Sequence, residues 1–232
     1  MQDPRTLPLP GWLADAVRAT PATTVLHQAV DVPPEWWRHE LAKRDLAYEL
    51  FDVPDRQITR AQLFEMGKFA ANSEEDARRL LWATLAWGTG RRHRNNRSRI
   101  SAVATSLDAR SETLRKAAEL GRTDPRAAYR LLRPRRNAVS HLGPPFFTKF
   151  LYFAGSGSAD HRCLILDSMV AKSLRRHCGW TSLTGFYWWP ADDYAAYCDL
   201  LARWAQELTA DADEPVTADR IEYILFTRGK SE

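Results

Sequence analysis

Residues 138–155 read AVSHLGPPFFTKFLYFAG, and residues 163–174 read CLILDSMVAKSL. Pro144 and Pro145 cannot continue a helix that arrives at Gly143. They can begin the next one, because proline in the first turn removes only a donor that has no intrahelical partner there. The first stretch therefore predicts a helix opening at Pro134, a tight turn at Gly143, and a second helix running to Gly155. A glycine-rich loop, SGSADHR, leads to the apolar run Cys163–Leu166. Asp167 then stands at an N-cap position, and Val170 and Leu174 continue the buried face of the helix it opens. Two helices joined tightly aim several backbone N–H groups at one point. The second adds the positive end of its dipole, an arrangement suited to a phosphate.

The rest of the chain is written in the same helical grammar. Thr59 with Gln62 suits a capping box and opens a helix through Leu63, Met66 and Ala70. Ser73 with Asp76 opens another, with Ala77, Leu80, Leu81, Thr84 and Leu85 on one face, stopping at Gly88 and Gly90. A helix is expected from Ser111 to Leu120 with Gly121 as its C-cap, and Asp124–Pro125 launches Arg126–Leu132. Tyr194, Tyr197, Cys198, Leu201, Trp204 and Leu208 mark a long amphipathic helix. A last one, capped by Thr217, carries Ile221, Ile224 and Leu225. Strand signals are nearly absent, so the expected fold class is all-α. Residues 1–58, rich in proline and tryptophan, read as an extension packed on a core domain of residues 59–232.

The 232 residues carry a net charge of only +4, but the charges are unevenly placed. From Thr84 to Leu107 there is no acid, while Arg91, Arg92, Arg94, Arg97 and Arg99 crowd together. From Pro125 to Ala159 there is again none, while Arg126, Arg130, Arg133, Arg135, Arg136 and Lys149 are present. Such surfaces hold a polyanion, because each arginine that neutralises a phosphate releases a counterion. A solvated basic helix face is the alternative. No apolar stretch approaches the ~18–20 residues needed to span a bilayer, and the N-terminus lacks a secretory pattern. Three cysteines, Cys163, Cys178 and Cys198, cannot build a paired disulfide framework, which suits a reducing cytoplasm. Neither do they supply a four-cysteine iron–sulfur site, and His161, Cys163, His177 and Cys178 lack zinc-ligand spacing. No metal or cofactor is expected, and nothing demands more than a monomer.

HLGPPFFTKFLYFAG followed by CLILDSMVAKSL resembles the helix-hairpin-helix DNA glycosylases, especially the 8-oxoguanine DNA glycosylase branch. LLWATLAWGTGRRHRNNRSRI resembles that family's helix and following loop that wedge into the base stack, and DRIEYILF resembles its closing helix. The resemblance spans roughly residues 60–232, and only the hairpin-to-aspartate stretch is specific. It implies two helical lobes flanking a cleft, double-stranded DNA as partner, and extrusion of a damaged or modified base into a pocket. The base would be oxidised guanine, as in that branch, or a modified base in phage DNA. A non-catalytic DNA-binding module is the competing reading.

On that resemblance Asp167 is the carboxylate that stabilises positive charge on the sugar as the N-glycosidic bond breaks. As a helix cap alone it is worth about 1 kcal/mol. Lys149 lies eighteen residues before Asp167, as the branch leads one to expect, yet the family lysine normally falls two residues after the hairpin glycine, where this chain has Pro145. Either the nucleophilic lysine has moved one helical turn along, or water attacks and Lys149 is a phosphate contact. Gly143, Pro144 and His141 are the hairpin's candidate DNA contacts, although a lone histidine more often serves packing. Asn95 and Asn96 are candidates to fill the gap left by the extruded base, with Arg91, Arg92, Arg94 and Arg97 on phosphates or the orphaned partner. Trp87, Phe186, Trp188, Trp189 and Phe226 are candidate walls of the base pocket, although most tryptophans serve a core.

Overall fold

A computed structural model describes the chain except residues 1–2, 50, 52, 54–55, 159, 186–187, 211, 213 and 232. Its helices are α1 (Gly11–Arg18), α2 (Ala22–Leu26), α3 (Pro34–Ala42), α4 (Arg60–Gly67), α5 (Glu74–Thr89) and α6 (Asn96–Ala104), then α7 (Leu107–Gly121), α8 (Pro125–Leu132), α9 (Pro144–Ala154), α10 (Ser168–His177), α11 (Ala191–Ala210) and α12 (Ala218–Ser231). The protein is all-α apart from one two-stranded antiparallel ribbon. There β1 (Ala29–Asp31) pairs with β2 (Gln57–Thr59), Val30 opposite Ile58. Periodicity gives no warning of three-residue strands, because so short a run holds barely one alternation. Among the described residues no helix is long and apolar enough to cross a membrane.

Helix α9 is the axis of the molecule. Pro144, Phe147, Thr148, Lys149, Phe150, Leu151, Tyr152, Phe153 and Ala154 are all buried, and α4, α5, α7 and α8 pack around it. A helix apolar on every side must lie inside, and the four aromatic rings among those residues account for that demand. Helix α10 packs most extensively on α12, and α11 bridges α8 and α12. The caps read from sequence are present. Thr59 and Gln62 form the reciprocal box, and Ser73, Asp124 and Asp167 each accept from the amides of the helix they open.

The first fifty-eight residues share one hydrophobic core with the rest, through Leu13, Val17, Trp37, Leu41 and Phe51. A fully buried carboxylate ties them to α5. Glu49 accepts from Arg78 Nε at 2.7 Å and from Trp82 Nε1 at 2.8 Å, which satisfies both oxygens of the buried carboxylate.

Three local expectations fail. Residues 133–143 hold no helix, so α8 and α9 are joined by an irregular segment rather than a tight helical turn. Consecutive arginines beside Pro134 gain more from solvation than from an amphipathic face that RRNAVSHL cannot offer. Gly143 has an ordinary φ of −82° as the N-cap of α9, and the left-handed residue of the turn is His141, at φ 64°. Gly121 does not terminate its helix from outside. It is the last residue of α7, which begins at Leu107 rather than Ser111.

Two glycines mark the closest helix approaches. A Cβ at Gly67 would sit 1.8 Å from the Phe153 carbonyl oxygen, and one at Gly229 would sit 2.2 Å from that of Met169. Backbone cannot retreat as a side chain can, so Gly67→Ala and Gly229→Ala should each lower the unfolding free energy by about 2 kcal/mol or more. Gly11→Ala, with nothing within 4 Å of the added carbon, should be near neutral. Urea unfolding of the three variants checks this, and equal stabilities would show that the α4–α9 and α10–α12 contacts are looser than described.

Candidate active site

The segment Cys163–Leu166 crosses the core with neither helix nor strand pairing. Buried backbone groups must still find partners, and side-chain hydroxyls supply them. Tyr194 donates to the Leu164 carbonyl at 3.0 Å and Tyr197 to that of Ile165 at 2.7 Å. Thr148 accepts from the Leu166 N–H at 3.2 Å and donates to the Pro144 carbonyl at 2.7 Å. This stitches the residue before Asp167 to the residue before Lys149.

The pair so positioned meets at the start of α10. Lys149 Nζ lies 3.3 Å from Asp167 Oδ2 and donates to the Pro145 carbonyl at 3.0 Å. Asp167 Oδ1 accepts from the amides of Met169 and Val170 at 3.0 and 3.2 Å. One carboxylate oxygen is thus committed to the helix and the other to the amine. Both residues are 8% exposed, so the pair sits at the edge of the interior. The Lys149 stem runs along α5 at Gly88, where a Cβ would come 3.4 Å from Lys149 Cδ and 3.1 Å from the Phe146 ring.

Behind this pair lies a second, drier one. Arg60, at the start of α4, reaches Glu222 on α12 at 3.0 Å, with both side chains 1% exposed. Arg60 also donates to the Tyr152 hydroxyl at 3.0 Å and to Gln28 Oε1 at 2.8 Å, and Tyr152 donates to Asp219 at 2.7 Å. Burial alone would lower the Arg60 guanidinium, but Glu222, Tyr152 and Asp219 more than offset it and hold it above its ordinary value. Burial pushes the Glu222 carboxyl up to about 7, against the opposing pull of Arg60; Asp167 and Lys149 also lie within its electrostatic reach.

The basic loop is more ordered than its composition suggests. Asn96 is fully buried, donates to Thr89 Oγ1 at 2.9 Å and accepts from Arg99 at 2.7 Å. It is therefore part of the scaffold and not a wedge. Asn95 is exposed and left-handed at φ 61°, which leaves it as the asparagine presented to solvent. Arg92 and Arg94 are exposed, Arg91 faces Asp31 at 3.2 Å, and Arg97 faces the buried Glu40 at 3.1 Å. His141 is exposed beside Gly143 and the buried Pro144.

The aromatic candidates divide. Trp87 is 6% exposed, meets Phe153 edge-on at 5.3 Å and has the Arg60 guanidinium 5.3 Å over its ring. Phe226 is partly buried against the core on α12. Trp189 is core: it is 1% exposed, its indole donates to the Thr184 carbonyl, and its own carbonyl accepts from Tyr129. Trp188 points outward, 68% exposed under Arg133. Phe186 lies outside the described residues. Sequence reading also passed over Arg60, Glu222 and Thr148. A buried arginine looks like any other in sequence, whereas Thr148 and Leu166 share the eighteen-residue spacing of Lys149 and Asp167.

A cavity of about 720 Å³ is lined by Phe64, Tyr152, His161, Cys163, Cys198 and Asp219 among others, and includes neither Lys149 nor Asp167. Burial pushes His161 down to about 4 there. A family model described as "Putative 8-oxoguanine DNA glycosylase OGG-like protein" matches residues 23–226. Comparison with curated proteins and with solved structures finds no match.

The Arg60–Glu222 pair makes two predictions. Removing one partner strands the other charge, so Arg60→Met or Glu222→Leu alone should cost about 3–5 kcal/mol, and the double variant far less than their sum. Additive losses in chemical unfolding would mean that the two charges do not depend on each other. A carboxyl with a higher pKa folded than unfolded contributes its stability fully below about pH 4.3 and loses it as pH rises toward the folded value. Stability should therefore fall between about pH 4.5 and 7 more steeply in the native chain than in Glu222→Gln, and equal slopes would contradict the raised value.

Proposed function

Because the chain belongs to the 8-oxoguanine DNA glycosylase OGG-like family, we propose that it excises a damaged or modified base from duplex DNA, with oxidised guanine as the first substrate to test. The observation that carries this reading is the contact of Lys149 Nζ with Asp167 Oδ2 at 3.3 Å, placed beside an exposed basic loop. A lysine serving only as a phosphate contact has no need to turn inward to a carboxylate and a carbonyl.

Cleavage of the N-glycosidic bond sends its electron pair out with the base and leaves oxocarbenium character on the sugar. Asp167 Oδ2, the oxygen that meets Lys149, stabilises that charge, while Oδ1 is held by α10 and cannot swing away. As the base departs, a proton from Lys149 is relayed through Asp167 to the leaving base, so the carboxylate keeps its charge, and the neutral amine attacks C1′ and forms a C1′–N bond. Ring opening of that adduct gives a Schiff base, from which the strand can be nicked. Asn95 fills the space vacated in the duplex, and the arginines flanking it hold the backbone. Extruding the nucleotide costs a few kcal/mol, least for a lesion already weakly stacked.

The test is base release from duplexes carrying 8-oxoguanine or a modified cytosine. Asp167→Asn should slow release by about 10²–10³-fold, with affinity for DNA nearly retained. Lys149→Ala should slow it as well. Release at native rates by Asp167→Asn would remove Asp167 from the chemistry, and no release by the native chain from any such duplex would favour a binding module.

A further inference from the structure

Two segments that the proposed function turns toward DNA, the loop before α6 and the turn that opens α9, converge on one buried side chain. Arg99 is 5% exposed. Its Nε donates to the His141 carbonyl at 3.0 Å, and one Nη donates to the Arg94 carbonyl at 2.9 Å and to Asn96 Oδ1 at 2.7 Å. The guanidinium lies 3.7 Å over the Phe146 ring. Among the described residues no carboxylate pairs with it, unlike Arg60 and Arg78.

A buried cation without a counterion is retained where its fork of donors does something a neutral side chain cannot. Here the fork joins residues that need holding. His141, Asn95 and His93 all carry positive φ without being glycine, and such strain persists only when the surroundings over-determine it. Arg99 clamps the carbonyl of His141 and the two residues flanking Asn95. The same Phe146 ring also meets Lys149, whose Nζ is 5.9 Å from its centroid. The notch at Gly88 gives Phe146 and the Lys149 stem their shared seat.

We propose that Arg99 is a positioning residue that couples the loop of residues 91–96 and the turn of residues 139–143 to Lys149 through Phe146. Engagement of the loop with DNA then fixes where the amine stands. The coupling deepens the glycosylase reading and rests on it for its catalytic consequence. Arg99 does not touch DNA in this account; it acts through the ring it covers.

Three variants test it. Arg99→Met keeps the stem over Phe146 but loses every donor, Arg99→Lys keeps the charge but not the fork, and Phe146→Leu keeps the clamp but removes the ring. Hydrogen exchange should rise together, by about tenfold or more, in residues 91–96, 139–143 and the first turn of α9 in both Arg99 variants, while α7 and α11 stay protected. At saturating lesion DNA both should release base about tenfold more slowly, with affinity changed less than about threefold. Phe146→Leu should slow release yet leave exchange in the loop unchanged. If Arg99→Met does not fold, Arg99→Lys carries the comparison. Unchanged exchange in either segment, or restoration of the native rate by lysine, overturns the proposal. So does a loss confined to affinity with a salt slope shallower by about one, which would mark Arg99 as a phosphate contact. If the native chain releases no base, the glycosylase reading falls, and the exchange of the α9 first turn still decides the coupling.

Discussion

Four residues, Cys163–Leu166, cross the interior without secondary-structure partners, and side chains meet their backbone there. Tyr194 and Tyr197 from α11 bond the carbonyls of Leu164 and Ile165, and Thr148 from α9 bonds the Leu166 N–H. An unpaired buried peptide group costs about 1–3 kcal/mol, so this segment has one tolerable path through the core. The consequence is geometric. Leu166 is fixed against Thr148, and the next residue on each side, Asp167 and Lys149, is brought into contact. The site is a by-product of how a buried loop is hydrogen-bonded.

Charge inside the molecule is handled in three ways, and each does different work. Glu49 with Arg78, and Arg60 with Glu222, are closed pairs that hold elements distant in sequence. Lys149 with Asp167 is a half-closed pair, with each partner also bonded to backbone and each still touching the surface. Among the described residues Arg99 has no anion partner, and burial pushes its guanidinium down to about 10, with Arg94 adding to the effect. It remains charged at neutral pH. Arg99 lies where the arginine-rich loop and the α9 turn meet.

The helices that bury a face were legible because burial imposes a period on the sequence and caps impose residue types. Thr59–Gln62, Ser73–Asp76 and Asp124–Pro125 open the helices they signal. Asp167 was legible as a cap, and the family resemblance is what proposes a further role for it. Residues 133–143 were misread because proline and glycine punctuation marks where a helix can start or stop without ensuring that one lies between. Asn96 and Trp189 were misread for a common reason: their types suit a site, and only the tertiary structure shows that their polar groups are already used inside the protein. Arg60 and Glu222, 162 residues apart, leave no local trace.

The central claim is that Lys149, held by Asp167, stands where the sugar carbon of an extruded nucleotide arrives. Incubating the native chain with lesion-bearing duplex in borohydride, digesting the trapped complex and sequencing the DNA-linked peptide measures this directly. The account predicts that the reduced adduct lies on Lys149. An adduct on another lysine or on the N-terminal amine would contradict it.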